Sequence, residues 1–197
     1  LISDEVQAGM GRTGEWWGIE NFGVVTDVIA AGKALQVGAI IASKDMFPAE
    51  PGSISSTWGG GHRLDLAIGM QTIKTIKKEK LLANVKKQGK YLMKSLAELT
   101  EKHEAIQNPR GIGLMAAFDL PTNKIRNDII IEAVKRGLVI LGCGMQSVRL
   151  IPPYIVSNEE IDEAMKIISD AVKVCTKEKF THQGEICKFM DCGERVS

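Results

Sequence analysis

The chain has 197 residues, 44% of them hydrophobic and 25% charged, and a formal net charge of +1. That balance fits one or two globular domains with real cores, and it excludes the strongly basic surface that would point to nucleic acid or an anionic membrane. No apolar run reaches the length of a bilayer span, LISDEVQ is not a signal peptide, and Cys143, Cys175, Cys187 and Cys192 are too scattered for a disulfide scaffold; free thiols and a cytoplasmic location are expected.

Leu1 opens directly on a strand-like run with no cap or turn before it, which reads as the C-terminal portion of a longer chain. LISDEV predicts a short strand ending in acidic and amide groups. Next, GMGRTG sets Gly9, Gly11 and Gly14 at the G-x-G-x-x-G spacing of a dinucleotide loop. Such a loop works only when a helix follows to meet the pyrophosphate with its N-terminal amides, and EWWGIENFG, interrupted by Gly18 and Gly23, predicts none. The pair Trp16 and Trp17 reads as local packing. VVTDVIAA predicts a second strand, stopping at Gly32 and Lys33, and GAIIAS (38–43) a third. The Pro, Gly and Ser-rich stretch between Pro48 and Gly61 predicts a loop.

A helix from about Leu64 is expected to turn Leu64, Ile68, Ile73 and Ile76 to one side, with KTIKKEK as its solvated face. Leu82, Val85, Leu92, Leu96 and Leu99 predict a second amphipathic helix. RGIGLMAAFDL reads as a strand, KIRNDIIIEAVKRG as a helix closed by Gly137, and LVILG and SVRLIPP as two further strands. Ser157 and Glu160 form a capping box for a last helix with Ile161, Ala164, Ile168 and Ala171 inward. From Thr176 to Ser197 the periodicity is lost. His182, Cys187 and Cys192 lack the close ligand pairs of a zinc site, so no metal is expected.

The chemistry gathers at two strand ends. Asp4 and Lys33 each close a predicted strand, the place where open α/β sheets hold ligands. A lysine between Gly32 and Ala34 in an apolar neighbourhood would be partly desolvated, which lowers its pKa and frees the amine for a Schiff base. An aspartate nearby is the usual partner of the pyridinium nitrogen of pyridoxal 5'-phosphate, PLP.

LISDEVQAGMGRTG, TDVIAAGKALQVGAIIAS and SSTWGGGHRLDLA, followed in order by RGIGLMAAFDL and VRLIPPYIVSNEEID, resemble the class III PLP-dependent aminotransferases, which include the 4-aminobutyrate and ornithine enzymes. The resemblance covers about residues 1 to 172 and makes GMGRTG the family's loop after the DEVQ strand. It implies an α/β fold-type I PLP-dependent transferase. Residues 1–62 would be the C-terminal end of the large, PLP-binding domain, 63–100 connecting amphipathic helices, 101–175 the small C-terminal α+β domain, and 176–197 an irregular tail. Asp4 would pair with the ring nitrogen, Gln7 would contact the phenolic oxygen, and Val6 would belong to the cofactor site. Lys33 would carry the Schiff base and move the proton, Thr57 would donate to the PLP phosphate, in this family usually of the neighbouring subunit, and Arg149 would hold a substrate carboxylate.

The activity implied is amino transfer from an ω-amino acid of the 4-aminobutyrate or ornithine type to 2-oxoglutarate, by a homodimer with a shared active site and with no nucleic-acid or membrane partner. An amino-acid racemase on the same scaffold is the alternative, and a non-catalytic fragment another. Gly60-Gly61-His62-Arg63 departs from the G-G-N-P of many members. The family's upstream half, with the phosphate-binding turn, the stacking aromatic and part of the substrate pocket, is absent from this sequence.

Overall fold

Two short stretches, ISD and the apolar VIAA, form the parallel strands β1 (Ile2–Asp4) and β2 (Val28–Ala31), with Asp4 in register with Ala30. Strand β3 (Ala39–Ala42) pairs antiparallel with β2, giving the order β1-β2-β3. All three are where the sequence places them, because β-branched Ile and Val between glycine and polar punctuation favour extended backbone. The computed structural model describes residues 1–48, 50 and 62–177; most of the loop expected between Pro48 and Gly61, and the tail beyond Lys177, lie outside the described residues. The chain divides into two units, Leu1–Lys87 and the part beginning at Gln88.

In the first unit no α-helix follows the G-x-G-x-x-G spacing; the chain makes turns and one 3₁₀ segment, Gly18–Phe22, before β2. Gly11 and Gly14 adopt φ of 100° and 94°, a region costly for any residue with a Cβ. Turn geometry thus accounts for these glycines, and the dinucleotide reading falls. Trp16 lies under the Lys77 ammonium, 5.8 Å from its ring centroid, and Glu15 pairs with Lys86 at 2.5 Å, so the contacts of this region reach residues far along the chain and not only its own neighbours.

Helix α1 (Arg63–Lys78) forms, but its inner face differs from the expected one. Ile76 and Gly69 are buried, whereas Leu64 and Ile68 are 59% and 40% exposed. At about 100° per residue Leu64 lies opposite Ile73, so the four residues never shared one stripe. The stripe that packs is the one through Gly69 and Ile76, seven residues apart. His62 is the N-cap of α1, and its side chain makes no capping bond. Helix α2 (Leu81–Lys102) crosses the boundary between the units, with Val85, Leu92, Leu96 and Leu99 buried and Leu82 half-buried.

The second unit is an antiparallel sheet of order β4-β5-β7-β6, with α3 and α4 packed on each other and α3 also against β6 and β7. Its strands are β4 (Gln107–Ile112), β5 (Met115–Asp119), β6 (Leu141–Cys143) and β7 (Ser147–Leu150). RGIGLMAAFDL is therefore not one strand but the turn and arms of a hairpin. Gly113, at φ 58°, reverses the chain between β4 and β5 without any polar break in the sequence. Strand β6 likewise begins at Leu141, so of LVILG only Leu141 and Gly142 are in it.

Helix α3 (Asn123–Lys135) starts at Thr122, whose hydroxyl accepts from Ile125 N at 3.2 Å, and ends beside Gly137 at φ 90°. Helix α4 (Asn158–Cys175) opens on the expected capping box: Ser157 Oγ accepts from Glu160 N at 3.2 Å, and Glu160 Oε2 accepts from Ser157 N at 2.8 Å. Ile161, Ile168 and Ala171 are buried and Ala164 half-buried. Cys143 and Cys175 are free thiols, and burial pushes Cys175 up to about 12, which makes it a core residue and not a nucleophile. No helix among the described residues is long and apolar enough to cross a membrane.

Alternation divides the two faces of this sheet. Ala116, Phe118, Val148 and Leu150 are buried as register partners, while the intervening Asp119, Ser147 and Arg149 are polar. There Arg110 donates to Asp119 Oδ1 at 2.9 Å and to Ser147 Oγ at 3.0 Å, Ser147 Oγ donates to Asp119 Oδ1 at 2.5 Å, and Asn108 donates to Asp119 Oδ2 at 3.1 Å. The Arg110 and Ser147 bonds hold the Asp119 carboxyl at about 2, below its ordinary 3.8. A depressed carboxyl stabilises the fold fully above its unfolded value and loses that contribution as pH falls through the folded one. Asp119 is therefore expected to contribute about 1–2 kcal/mol at neutral pH, lost between roughly pH 4 and 2. Urea unfolding of wild type and Asp119→Asn across that range checks this: the gap between them should close on acidification, and a gap that persists at pH 2 would mean the carboxylate is not responsible.

Candidate active site

Because β1 and β2 are parallel, their C-terminal ends open on the same edge of the sheet. Asp4 ends β1; its register partner Ala30 is followed by Ala31, Gly32 and Lys33. The topology thus brings Asp4 and Lys33 to one sheet edge, as the sequence pattern requires. Asp4 is exposed, and its Oδ1 accepts from Val6 N at 3.1 Å, an Asx-type turn that orients the carboxylate at the strand end. The Val6 side chain packs on the backbone next to the lysine: a Cβ on Gly32 would meet Val6 Cγ1 at 3.4 Å. Gln7 follows, half-buried.

Lys33 begins a short 3₁₀ turn, Lys33–Leu35, at φ 41°. A non-glycine residue in the left-handed region is uncommon and carries strain that its surroundings must hold. Lys33 is also exposed. The desolvation expected of it is therefore not present here: Ala31 and Gly32 are buried, but the turn then leaves the sheet and its small neighbours give the lysine little cover.

The pattern of adjacent acids contains a residue that sequence reasoning passed over. Glu5 is 2% exposed; its Oε2 accepts from Gly18 N at 2.8 Å, and its Oε1 accepts from Ile19 N at 2.8 Å and Ser3 Oγ at 2.9 Å. It fastens the GMGRTG-containing loop to the end of β1, directly behind Asp4. The available signal was strand alternation, which sends neighbouring acids to opposite sides.

Thr57 lies outside the described residues. Arg149 belongs to the second unit, half-buried on β7 between buried Val148 and Leu150 and in register with Ala117 and Leu141. It lines a cavity of about 450 Å³ whose other walls include Leu141, Pro152, Pro153, Val156 and Glu160. A guanidinium at a largely apolar cavity suits a carboxylate carried on an aliphatic chain.

These features meet the comparisons with known proteins. The family described as Aminotransferase class-III matches residues 1–172, and the chain belongs to that family. It is 38% identical over 176 residues to an acetylornithine aminotransferase of Caldanaerobacter subterraneus, covering 87% of this chain and 44% of the relative. It is 37% identical over 183 residues to an L-lysine-epsilon aminotransferase of Mycobacterium tuberculosis, covering 89% and 40%. The chain thus spans less than half the length of these curated relatives. Among solved structures, lysine aminotransferase from M. tuberculosis aligns with a TM-score of 0.85 at 37% identity, over 89% of this chain and 42% of that one. Ornithine delta-aminotransferase from Plasmodium falciparum aligns with a TM-score of 0.80 at 35% identity, over 88% and 46%. The mixed α/β architecture is the one expected of a fold-type I transferase.

Proposed function

We propose that the intact protein to which this chain belongs is a PLP-dependent aminotransferase that moves an amino group from an ω-amino acid of the 4-aminobutyrate or ornithine type to 2-oxoglutarate. The observation that carries this reading is the placement of Asp4 and a left-handed Lys33 at the common C-terminal edge of two parallel strands. That donor set fits PLP: a carboxylate suited to a protonated ring nitrogen, and an amine suited to an aldehyde carbon. PLP, when bound, supplies an electron sink for the carbon that loses a proton.

The chain's own residues do the rest. Asp4, fixed through Val6 N, would offer its carboxylate to the ring nitrogen, Gln7 would contact the phenolic oxygen, and Val6 would belong to the cofactor site. Lys33 Nζ would hold the cofactor and, once released, would carry a proton between substrate and cofactor carbons as general base and acid. Thr57 would donate its hydroxyl to the phosphate of the cofactor in the neighbouring subunit of a homodimer with a shared site. Arg149 takes the substrate carboxylate. Two of the relatives' names, L-lysine-epsilon and ornithine delta-aminotransferase, specify a side-chain amine, which supports a donor of the ω-amino class. A cytoplasmic location is part of the same proposal.

Product formation from candidate ω-amino acids, with and without 2-oxoglutarate, tests the proposal. Turnover is expected only when the oxo acid is present; stereochemical inversion of an amino acid without any acceptor would instead identify a racemase. In the same assay Arg149→Ala should raise KM for the carboxylate substrate by about tenfold or more while lowering kcat less, because a clamp on a remote carboxylate contributes mainly to binding. Unchanged KM for every carboxylate tried would return Arg149 to a structural role.

A further inference from the structure

The turn that presents Lys33 is held from two directions within the first unit. Gln36, at φ 65°, donates twice to the Lys33 carbonyl oxygen: its backbone N–H at 2.8 Å and its side-chain Nε2 at 3.2 Å. On the other side, α1 lies against the turn at Gly69, where a Cβ would stand 2.6 Å from the Leu35 carbonyl oxygen. Two left-handed residues three apart, Lys33 and Gln36, are unusual in so short a segment. Strain of this kind persists only where neighbouring contacts over-determine it. The backbone bond alone closes an ordinary 3₁₀ turn. The side chain adds a second bond between the same two left-handed residues.

We propose that Gln36 is a positioning residue for Lys33: its side-chain amide, bonded to the Lys33 carbonyl, fixes the strained turn so that the lysine amine is presented in one orientation at the sheet edge. This rests on the assignment of Lys33 as the cofactor-bearing residue. A general base gains rate from being held in reacting geometry, and loosening its backbone costs turnover more than substrate binding. Gln36 touches neither substrate nor cofactor in this account and acts through the backbone of residue 33.

The test uses the intact protein with PLP and two variants. Gln36→Gly tolerates the left-handed backbone better than glutamine and removes the side-chain donor, with some added backbone freedom; Gln36→Glu keeps the length and the backbone but presents a carboxylate that cannot donate, so a loss shared by both variants is assigned to the missing donor. Four readouts are taken: the thermal midpoint, the rate at which the cofactor-free protein takes up PLP, kcat and KM, and the lysine found modified after borohydride reduction and peptide mapping. Both variants should retain the modification on Lys33, take up PLP more slowly, and lose about three- to tenfold in kcat with KM changed less than about twofold, the size expected for one neutral hydrogen bond. The Gly variant should show this without a lowered thermal midpoint, which separates positioning from mere stability. Wild-type uptake and kcat in both variants, with Lys33 still modified, would overturn the proposal and leave the lysine assignment standing. Modification of a different lysine in the wild type would overturn both.

Discussion

Lys33→Ala in the intact protein is expected to lower turnover by at least about 10²- to 10⁴-fold, the range in which a positioned proton carrier contributes, with a further loss from the missing cofactor linkage. The fold should survive. Lys33 is exposed and lies in a turn between the sheet and α1, so truncating it removes little packing, and alanine meets the same left-handed backbone that lysine does. A surface change of this kind shifts stability by about 0.5 kcal/mol or less. Steady-state kinetics and thermal unfolding of the same preparation check the two halves together. An active Lys33→Ala protein, assayed without added amine, contradicts the assignment; an inactive but unfolded one would be recognised by its melting curve, and Lys33→Arg, which keeps the charge and length but not the nucleophilic amine, then repeats the test.

The largest effect on stability is expected at Gly89. This residue is buried on α2 and lies against the β4–β5 turn, where a Cβ would stand 2.5 Å from Gly113 Cα and 2.5 Å from its carbonyl oxygen. Every atom it would strike belongs to backbone, so no side chain can swing aside. Gly113 itself sits at φ 58° and must keep that conformation to reverse the hairpin. Forcing helix and hairpin apart costs about 3 kcal/mol, the upper end of overpacking in a close-packed interior, and the better helix propensity of alanine returns about 1 kcal/mol. Gly89→Ala should therefore lose about 2 kcal/mol net, and Gly89→Val more, measured as a lower urea midpoint. A midpoint at or above wild type would show that the two backbones are not in contact. The ordinary alternative, a glycine tolerated in an exposed helix, predicts that alanine stabilises, so the sign alone decides.

Much of this was legible in the sequence. The three strands of the first unit announce themselves by β-branched runs ending at Asp4, at Gly32 and at Ser43, and parallel pairing of the first two is what turns a pair of distant residues into a common edge. The capping box at Ser157 and Glu160 is a local code, with both partners within one turn, and it was read correctly for that reason. Where the reading failed, the deciding contact was not local. Gly113 reverses the chain inside an apolar run and packs against Gly89 of α2, a contact that no window on RGIGLM reveals. On α1 the residue packed against Leu35 is Gly69, while the bulkier Leu64 and Ile68 stay exposed, a long-range contact that periodicity alone does not show.

The site follows the same rule. Asp4 and Lys33 could be paired from strand ends and from the family resemblance; alternation separates Glu5 from Asp4, but its bonds from Gly18 and Ile19, across an irregular loop, could not be read. The left-handed conformation of Lys33 and its bond from Gln36 were hidden as well, because neither lysine nor glutamine advertises positive φ.

The central claim, that Lys33 is the residue through which this protein holds PLP, is tested most directly by reducing the cofactor-loaded intact protein with borohydride and mapping the modified peptide. The account predicts one stoichiometric pyridoxyl adduct, on the peptide containing Ala30-Ala31-Gly32-Lys33, and its loss in Lys33→Ala. An adduct on any other lysine, or a yellow protein from which no lysine adduct is recovered, would contradict it.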